Sequence, residues 1–89
     1  MEARHGTASG SVTTVTLTQD AGAITVISRS TTLTDAIYFT IDGSTPAVAG
    51  NDTYVAVPNA PITVDAQGIG APVVKLISNA SPGYSVIAE

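Results

Sequence analysis

Apolar and polar residues alternate in short runs along most of this chain, and turn-forming residues separate the runs. Val15 and Leu17 alternate with Thr14, Thr16 and Thr18, and Ile24 and Val26 flank Thr25. Residues 36–42 alternate most sharply: Ile37, Phe39 and Ile41 fall on one side of a pleat, Tyr38 and Thr40 on the other. A period of two marks a strand buried on one face. The same reading predicts strands over residues 14–18, 24–29, 36–42, 53–57, 61–64, 72–78 and 84–88. Between them lie Gln19-Asp20-Ala21-Gly22, Asp42-Gly43-Ser44-Thr45-Pro46 and Asn79-Ala80-Ser81-Pro82-Gly83. In such clusters Asp accepts hydrogen bonds from nearby backbone N–H groups, Gly supplies positive φ, and Pro cannot donate to a ladder. No window carries apolar residues at helical spacing without a breaker. About seven short strands at this spacing predict an all-β domain, a small β-sandwich or barrel of antiparallel strands. Residues 12–89 form that domain. Residues 1–11 hold Gly6, Ser9 and Gly10 with little to bury and are expected to form an extended N-terminal arm.

Composition strengthens the β reading. Thirteen Thr, ten Val and eight Ile, 31 of 89 residues, carry β-branched side chains that suit a pleated surface better than a helix. Only 11% of residues are charged, where an ordinary soluble domain has about 25%. With 44% hydrophobic residues and a mean hydropathy of +0.32, Thr, Ser, Ala and Gly must cover the surface. Such a surface suits a chain that is partly covered by partners. The net charge is −4, and the three cationic residues Arg4, Arg29 and Lys75 are scattered. This argues against nucleic acid as a partner and against electrostatic binding to a membrane. The first residues are followed by no apolar run, so no signal peptide is read there, and no apolar stretch is long enough for a spanning helix.

Candidate chemistry is sparse. There is no Cys and a single His, His5, so neither a disulfide nor a Cys/His zinc site can form. His5 has no identifiable partner group to orient it as a base. The Ser and Thr residues have no identifiable activator. No enzyme activity, cofactor or metal is expected. Asp42, Asn51 and Asp52 could offer oxygens to calcium, but the spacing is not that of a known calcium loop and the ligand count is low. Asn51-Asp52-Thr53 and Asn79-Ala80-Ser81 match glycosylation acceptors and serve equally as turn residues.

Two further groups stand out. On the strand over 72–78, Val74 and Leu76 face the core, so Val73 and Ile77 flank Lys75 on the outer face; Ile27 lies outside beside Arg29 in the same way. Outward aliphatics mark either a contact surface or a strand covered on both sides. With Arg4 and His5 of the arm, the residues Ile27, Arg29, Val73, Lys75 and Ile77 are the candidate interface. Tyr38 and Tyr54 are candidate glycan contacts through stacking, or else ordinary cross-strand packing partners.

The stretch Ile37-Tyr38-Phe39-Thr40-Ile41-Asp42-Gly43-Ser44-Thr45-Pro46 resembles a hairpin of Ig-like accessory modules in bacterial carbohydrate-active enzymes, which implies an Ig-like sandwich and, as one possible function, binding to host-surface glycans. A longer resemblance, from about residue 24 to 86, is to small virion proteins of tailed bacteriophages that infect actinobacteria. Its carrying residues are Ile37-Tyr38-Phe39-Thr40-Ile41-Asp42-Gly43, Ala49-Gly50-Asn51-Asp52-Thr53-Tyr54-Val55, Val73-Val74-Lys75-Leu76-Ile77-Ser78 and Tyr84-Ser85-Val86. This resemblance implies a head decoration protein on the capsid surface, assembled in the host cytoplasm. Its implied partners are the major capsid protein and other copies of itself, as a homo-oligomer such as a trimer. A tail or baseplate component is the alternative within the same resemblance. It implies no catalytic residues.

Overall fold

The computed structural model describes residues 2–48, 50, 53–70 and 72–89. Among them the chain forms eight strands and no helix: β1 (Glu2–Thr7), β2 (Thr13–Thr16), β3 (Ala23–Ser28), β4 (Ile37–Thr40), β5 (Tyr54–Ala56), β6 (Ile62–Asp65), β7 (Val73–Ser78) and β8 (Gly83–Ala88). They assemble into two four-stranded antiparallel sheets, ordered β1-β8-β3-β6 and β2-β7-β4-β5. The all-β sandwich expected from the alternation is the observed fold.

Alternation decides what lies between the sheets. In the first sheet, register places Ile24 beside Ala88 and Val64, and Val26 beside Val86. In the second it places Val15 beside Val74, and Leu76 beside Phe39. These side chains meet in one core, joined by Leu17, Ile37, Ile41 and Tyr84. Ile37, Phe39 and Ile41 are all buried, as their shared parity requires. The 42–46 turn also forms as its residues dictate. Asp42 Oδ1 accepts from Ser44 N–H at 3.0 Å and from Ser44 Oγ at 2.6 Å, and Gly43 adopts φ +83°. That turn folds back over Thr40, whose hydroxyl donates to the Ser44 carbonyl, so a residue of outward parity ends up buried.

At the other end of the sandwich, one from each sheet, Ser28 and Ser78 are buried. Their hydroxyls donate to the carbonyls of Asp35 and Ala36 at 2.9 and 2.7 Å. This pins the 30–36 connection as a lid over both sheets. No buried side-chain nitrogen or oxygen among the described residues lacks a partner, as a thin core requires.

The N-terminal segment departs from expectation. Residues 2–7 are not an arm outside the domain but the edge strand β1, paired with β8 from Glu2↔Ala88 to Thr7↔Gly83. Main-chain pairing needs no apolar pattern, so the run Glu2-Ala3-Arg4-His5-Gly6-Thr7 gives no strand signal although it forms one. Its inward positions are Glu2, Arg4 and Gly6, facing Ala88, Val86 and Tyr84 across the ladder. Charged residues aimed inward on an edge strand discourage pairing with a further strand. Gly6 leaves room for the Tyr84 ring: a Cβ there would sit 2.7 Å from the phenolic oxygen and 2.9 Å from ring carbons. Beyond the strand, Ala8 is fully buried. Glu2 also ties the two sheets together along this edge. Its carboxylate accepts from the backbone N–H of Thr18 at 2.9 Å and from the Thr18 hydroxyl, while Arg4 pairs with it from the same strand.

Three outcomes are expected. Because β1 belongs to the sheet, deleting residues 2–8 strips one side of β8 and removes Ala8 from the core; thermal melts should show an unfolded or severely destabilised domain. The finer substitution Gly6→Val forces a branched side chain against Tyr84 and should cost about 1–3 kcal/mol in denaturant unfolding. Glu2 gives a pH signature. The Arg4 hydrogen bond, then the Thr18 backbone N–H, holds its carboxyl below the ordinary value. A folded-state pKa below the unfolded one adds stability above the unfolded pKa, and that contribution is lost as pH falls through the folded pKa. Glu2→Gln should therefore be less stable than the parent at neutral pH, with the difference closing on acidification in parallel melts.

Candidate functional site

Every strand of a two-layer sandwich presents one face to solvent, and here the outer faces carry most of the residues singled out above, Arg4 and Tyr54 excepted. On the outer face of β2-β7-β4-β5, β7 contributes Val73, Lys75 and Ile77, each half-buried between neighbours. Register extends Ile77 into a row with Tyr38 on β4 and Val55 on β5, and sets Lys75 between Thr14 and Thr40. Val55 and, just beyond β5, Val57 are 42% and 39% exposed, too open for packing within the chain to account for them. Although β7 is central in its sheet, its outer side chains have no second layer over them among the described residues. The aliphatics are surface residues, not a second core.

Ile27 and Arg29 lie at the opposite side of the molecule. Ile27 is paired with Ser85 on the outer face of β1-β8-β3-β6, and Ser85 in turn with His5. His5 Nδ1 and Ser85 Oγ are 2.8 Å apart. A histidine–serine contact is one ingredient of an activated nucleophile, but a working site also needs a group orienting the histidine and donors for an oxyanion. This pair lies on the outer sheet face, with Ser85 buried beneath the exposed His5, and reads as a cross-strand contact between β1 and β8. Arg4 has the opposite parity to His5 and is held by Glu2. The seven candidate interface residues therefore do not form one patch. Val73, Lys75 and Ile77 share one face, His5 and Ile27 share the other with Arg29 at its end, and Arg4 sits on the β1 edge.

The two tyrosines also separate. Tyr38 pairs with Val55 and points outward, whereas Tyr54 pairs with Phe39 and points to the core side, its ring 5.5 Å from that of Phe39 at a 33° tilt. Adjacent positions in a strand face opposite ways, so one Tyr beside Phe39 and the other beside Val55 cannot form a common stacking platform.

Tyr54 instead lines a groove that the sequence reading missed. It opens where the end of β4, the start of β5 and the end of β6 meet, has a volume of about 550 Å³, and is lined by Thr40, Ile41, Asp42, Thr53, Tyr54, Asp65 and Ile69. Asp42 is set by its own turn, and the hydrogen bonds from Ser44, hydroxyl first and then backbone N–H, hold its carboxyl below the usual aspartate value. Asp65 is set similarly, Oδ1 accepting from Gln67 N–H at 3.0 Å. Among the described residues no cationic side chain lines the groove. Asp65 and Ile69 could not be joined to Tyr54 from the sequence, because only the pairing of β6 with β3 brings that strand to this end. Of the oxygens considered for calcium, Asn51 and Asp52 lie outside the described residues. Among the described residues no three carboxylate or imidazole groups converge as a metal site would require.

No family model, no curated protein and no solved structure matches the chain.

Proposed function

We propose that this chain is a non-enzymatic structural module of a virion, a head decoration protein that docks on the major capsid protein and on copies of itself through the outer face of β2-β7-β4-β5. The observation that carries the reading is the row Ile77–Tyr38–Val55, extended by Val57, on an otherwise Thr-rich sheet face. Leaving these groups wet forgoes roughly 1 kcal/mol for each half-exposed aliphatic or aromatic side chain. Contiguous apolar groups on a sheet face are a feature of interaction sites. The low charge content, 11% of residues, agrees with a surface that is covered in use. The resemblance to small virion proteins of tailed bacteriophages supplies the kind of particle. Lys75 at the centre of the face gives a partner one fixed charge to match, which suits register more than affinity.

Two measurements test this. The first is the position of the chain in purified virions by electron cryomicroscopy. Copies arrayed over the shell support decoration. A few copies at the tail tip would move the protein to the tail or baseplate, and absence from the particle would end the virion reading.

The second is Ile77→Lys. Ile77 points outward, so the isolated domain should stay folded, losing no more than about 1 kcal/mol in a denaturant melt. Occupancy on particles should fall sharply, because the new charge would have to be desolvated at the contact. Unchanged occupancy would show that this face is not the one that docks.

A further inference from the structure

The groove at the β4–β5–β6 end lies apart from the Ile77–Tyr38–Val55 row, and its lining is of a different kind. Tyr54 and Ile69 are 43% and 42% exposed, so two large apolar surfaces are presented inside a concavity. The Tyr54 ring is held in place by Phe39 beneath it, so little freedom remains to be lost when a ligand stacks on it. Around this ring stand two carboxylates. Each has one oxygen committed to its own loop, Asp42 Oδ1 to Ser44 and Asp65 Oδ1 to Gln67, and each keeps Oδ2 without a hydrogen-bond partner among the described residues. A fixed aromatic face with fixed acceptors beside it matches a molecule that has one apolar face and hydroxyl donors around its rim. The volume lies within the range of small-ligand pockets, roughly 300–1,000 Å³.

We propose that this groove binds a neutral saccharide, with one face of a sugar ring stacked on Tyr54 against Ile69 and ring hydroxyls donating to Asp42 and Asp65. Hydrogen bonds from hydroxyls to carboxylates are charge-assisted and among the stronger polar contacts available to such a ligand. With two carboxylates and no Lys, Arg or His among the described lining residues, acidic sugars and phosphorylated ligands are repelled. A simple cation is the weaker alternative, because both carboxylates are open to solvent, where attraction to a point charge is screened and stacking contributes little. The site meets the docking face at Thr40, while Asp42, Tyr54, Asp65 and Ile69 lie at the end of the sandwich: a particle-bound copy that holds its outer sheet face against a shell leaves these four residues on a separate surface.

The test is a glycan array on the isolated domain, followed by NMR titration with the neutral saccharides that score, and with heparin disaccharide and arginine amide as controls. The expected result is saturable shifts at Tyr54, Asp65 and Ile69 with a neutral oligosaccharide and none with heparin disaccharide. Tyr54→Ala should weaken binding about tenfold, the scale of one lost stacking contact. Asp65→Asn keeps an acceptor for Gln67 N–H and should weaken binding several-fold, while Tyr38→Ala, on the other face of the sheet, should leave it unchanged. If Tyr54→Ala fails to fold, Tyr54→Leu keeps the apolar bulk without the ring and should weaken binding in the same direction. Three results would overturn the proposal: no neutral saccharide shifting the groove resonances, arginine amide alone doing so, or loss of binding with Tyr38→Ala. None of them bears on Ile77→Lys occupancy, so the two readings stand or fall separately.

Discussion

A chain of 89 residues can fill only one layer of core, and the rest of this structure follows from that limit. With two four-stranded sheets and a single space between them, each strand has one face to bury and one to leave outside. The inner positions are given mainly to Ile, Val, Leu and Phe, and the buried hydroxyls each have a partner: a backbone carbonyl for Ser28, Thr40 and Ser78, the His5 ring for Ser85. A thin core has little surplus from which to offset an unpaired buried group, which costs about 1–3 kcal/mol. Complete pairing is therefore a condition of folding here.

The same limit explains why some of the molecule could be read from its sequence and some could not. Parity along a strand is local. Ile37, Phe39 and Ile41 announce their shared face, and Val73 and Ile77 announce theirs, without reference to any other part of the chain. The 42–46 turn is equally local, since Asp42, Gly43 and Pro46 act within a few residues of themselves. Pairing between distant strands is not. Nothing in Glu2-Ala3-Arg4-His5-Gly6-Thr7 says that it lies beside β8, because a ladder is made of main-chain groups that every sequence possesses. The evidence for β1 is in its partner: Tyr84 needs space that only Gly6 leaves. In the same way, the separation of Tyr38 from Tyr54 depends on which residue of β5 sits opposite Phe39, a register that a one-residue slip would reverse.

Edge strands carry a particular burden in a sandwich, and the four edges here are treated differently. β5 and β6 are short, at three and four residues, and β2 has four. Short edges offer little ladder to an intruding strand. β1 has six residues and would be the most inviting. It carries Glu2 and Arg4 on its inward side, where a flat continuation of the sheet would trap them. Glu2 at the same time reaches Thr18 beside the opposite sheet, so the residue that guards the edge also closes it. Association through this protein's sheet edges is thereby disfavoured, which leaves sheet faces and sheet ends as the surfaces on which partners can act.

Faces and ends differ in what they can recognise. A sheet face is broad and gently twisted, and side chains on it stand in rows about one strand spacing apart, so it suits another folded surface of similar breadth. The Ile77–Tyr38–Val55 row is of this kind: apolar, laterally continuous and short of charge. A sheet end is concave, because strands of unequal length stop at different levels and the loops between them stand higher. Turn residues at such an end are already fixed by their own hydrogen bonds, as Asp42 is by Ser44 and Asp65 by Gln67, so their remaining oxygens are held in place at no further entropic cost. That arrangement suits a small ligand with a defined pattern of donors. The division of labour comes from geometry before chemistry: a two-layer fold that cannot bury more than one core still has wide faces for macromolecules and narrow ends for small molecules, and this chain has placed aliphatic residues on the first and paired carboxylates around an aromatic ring on the second.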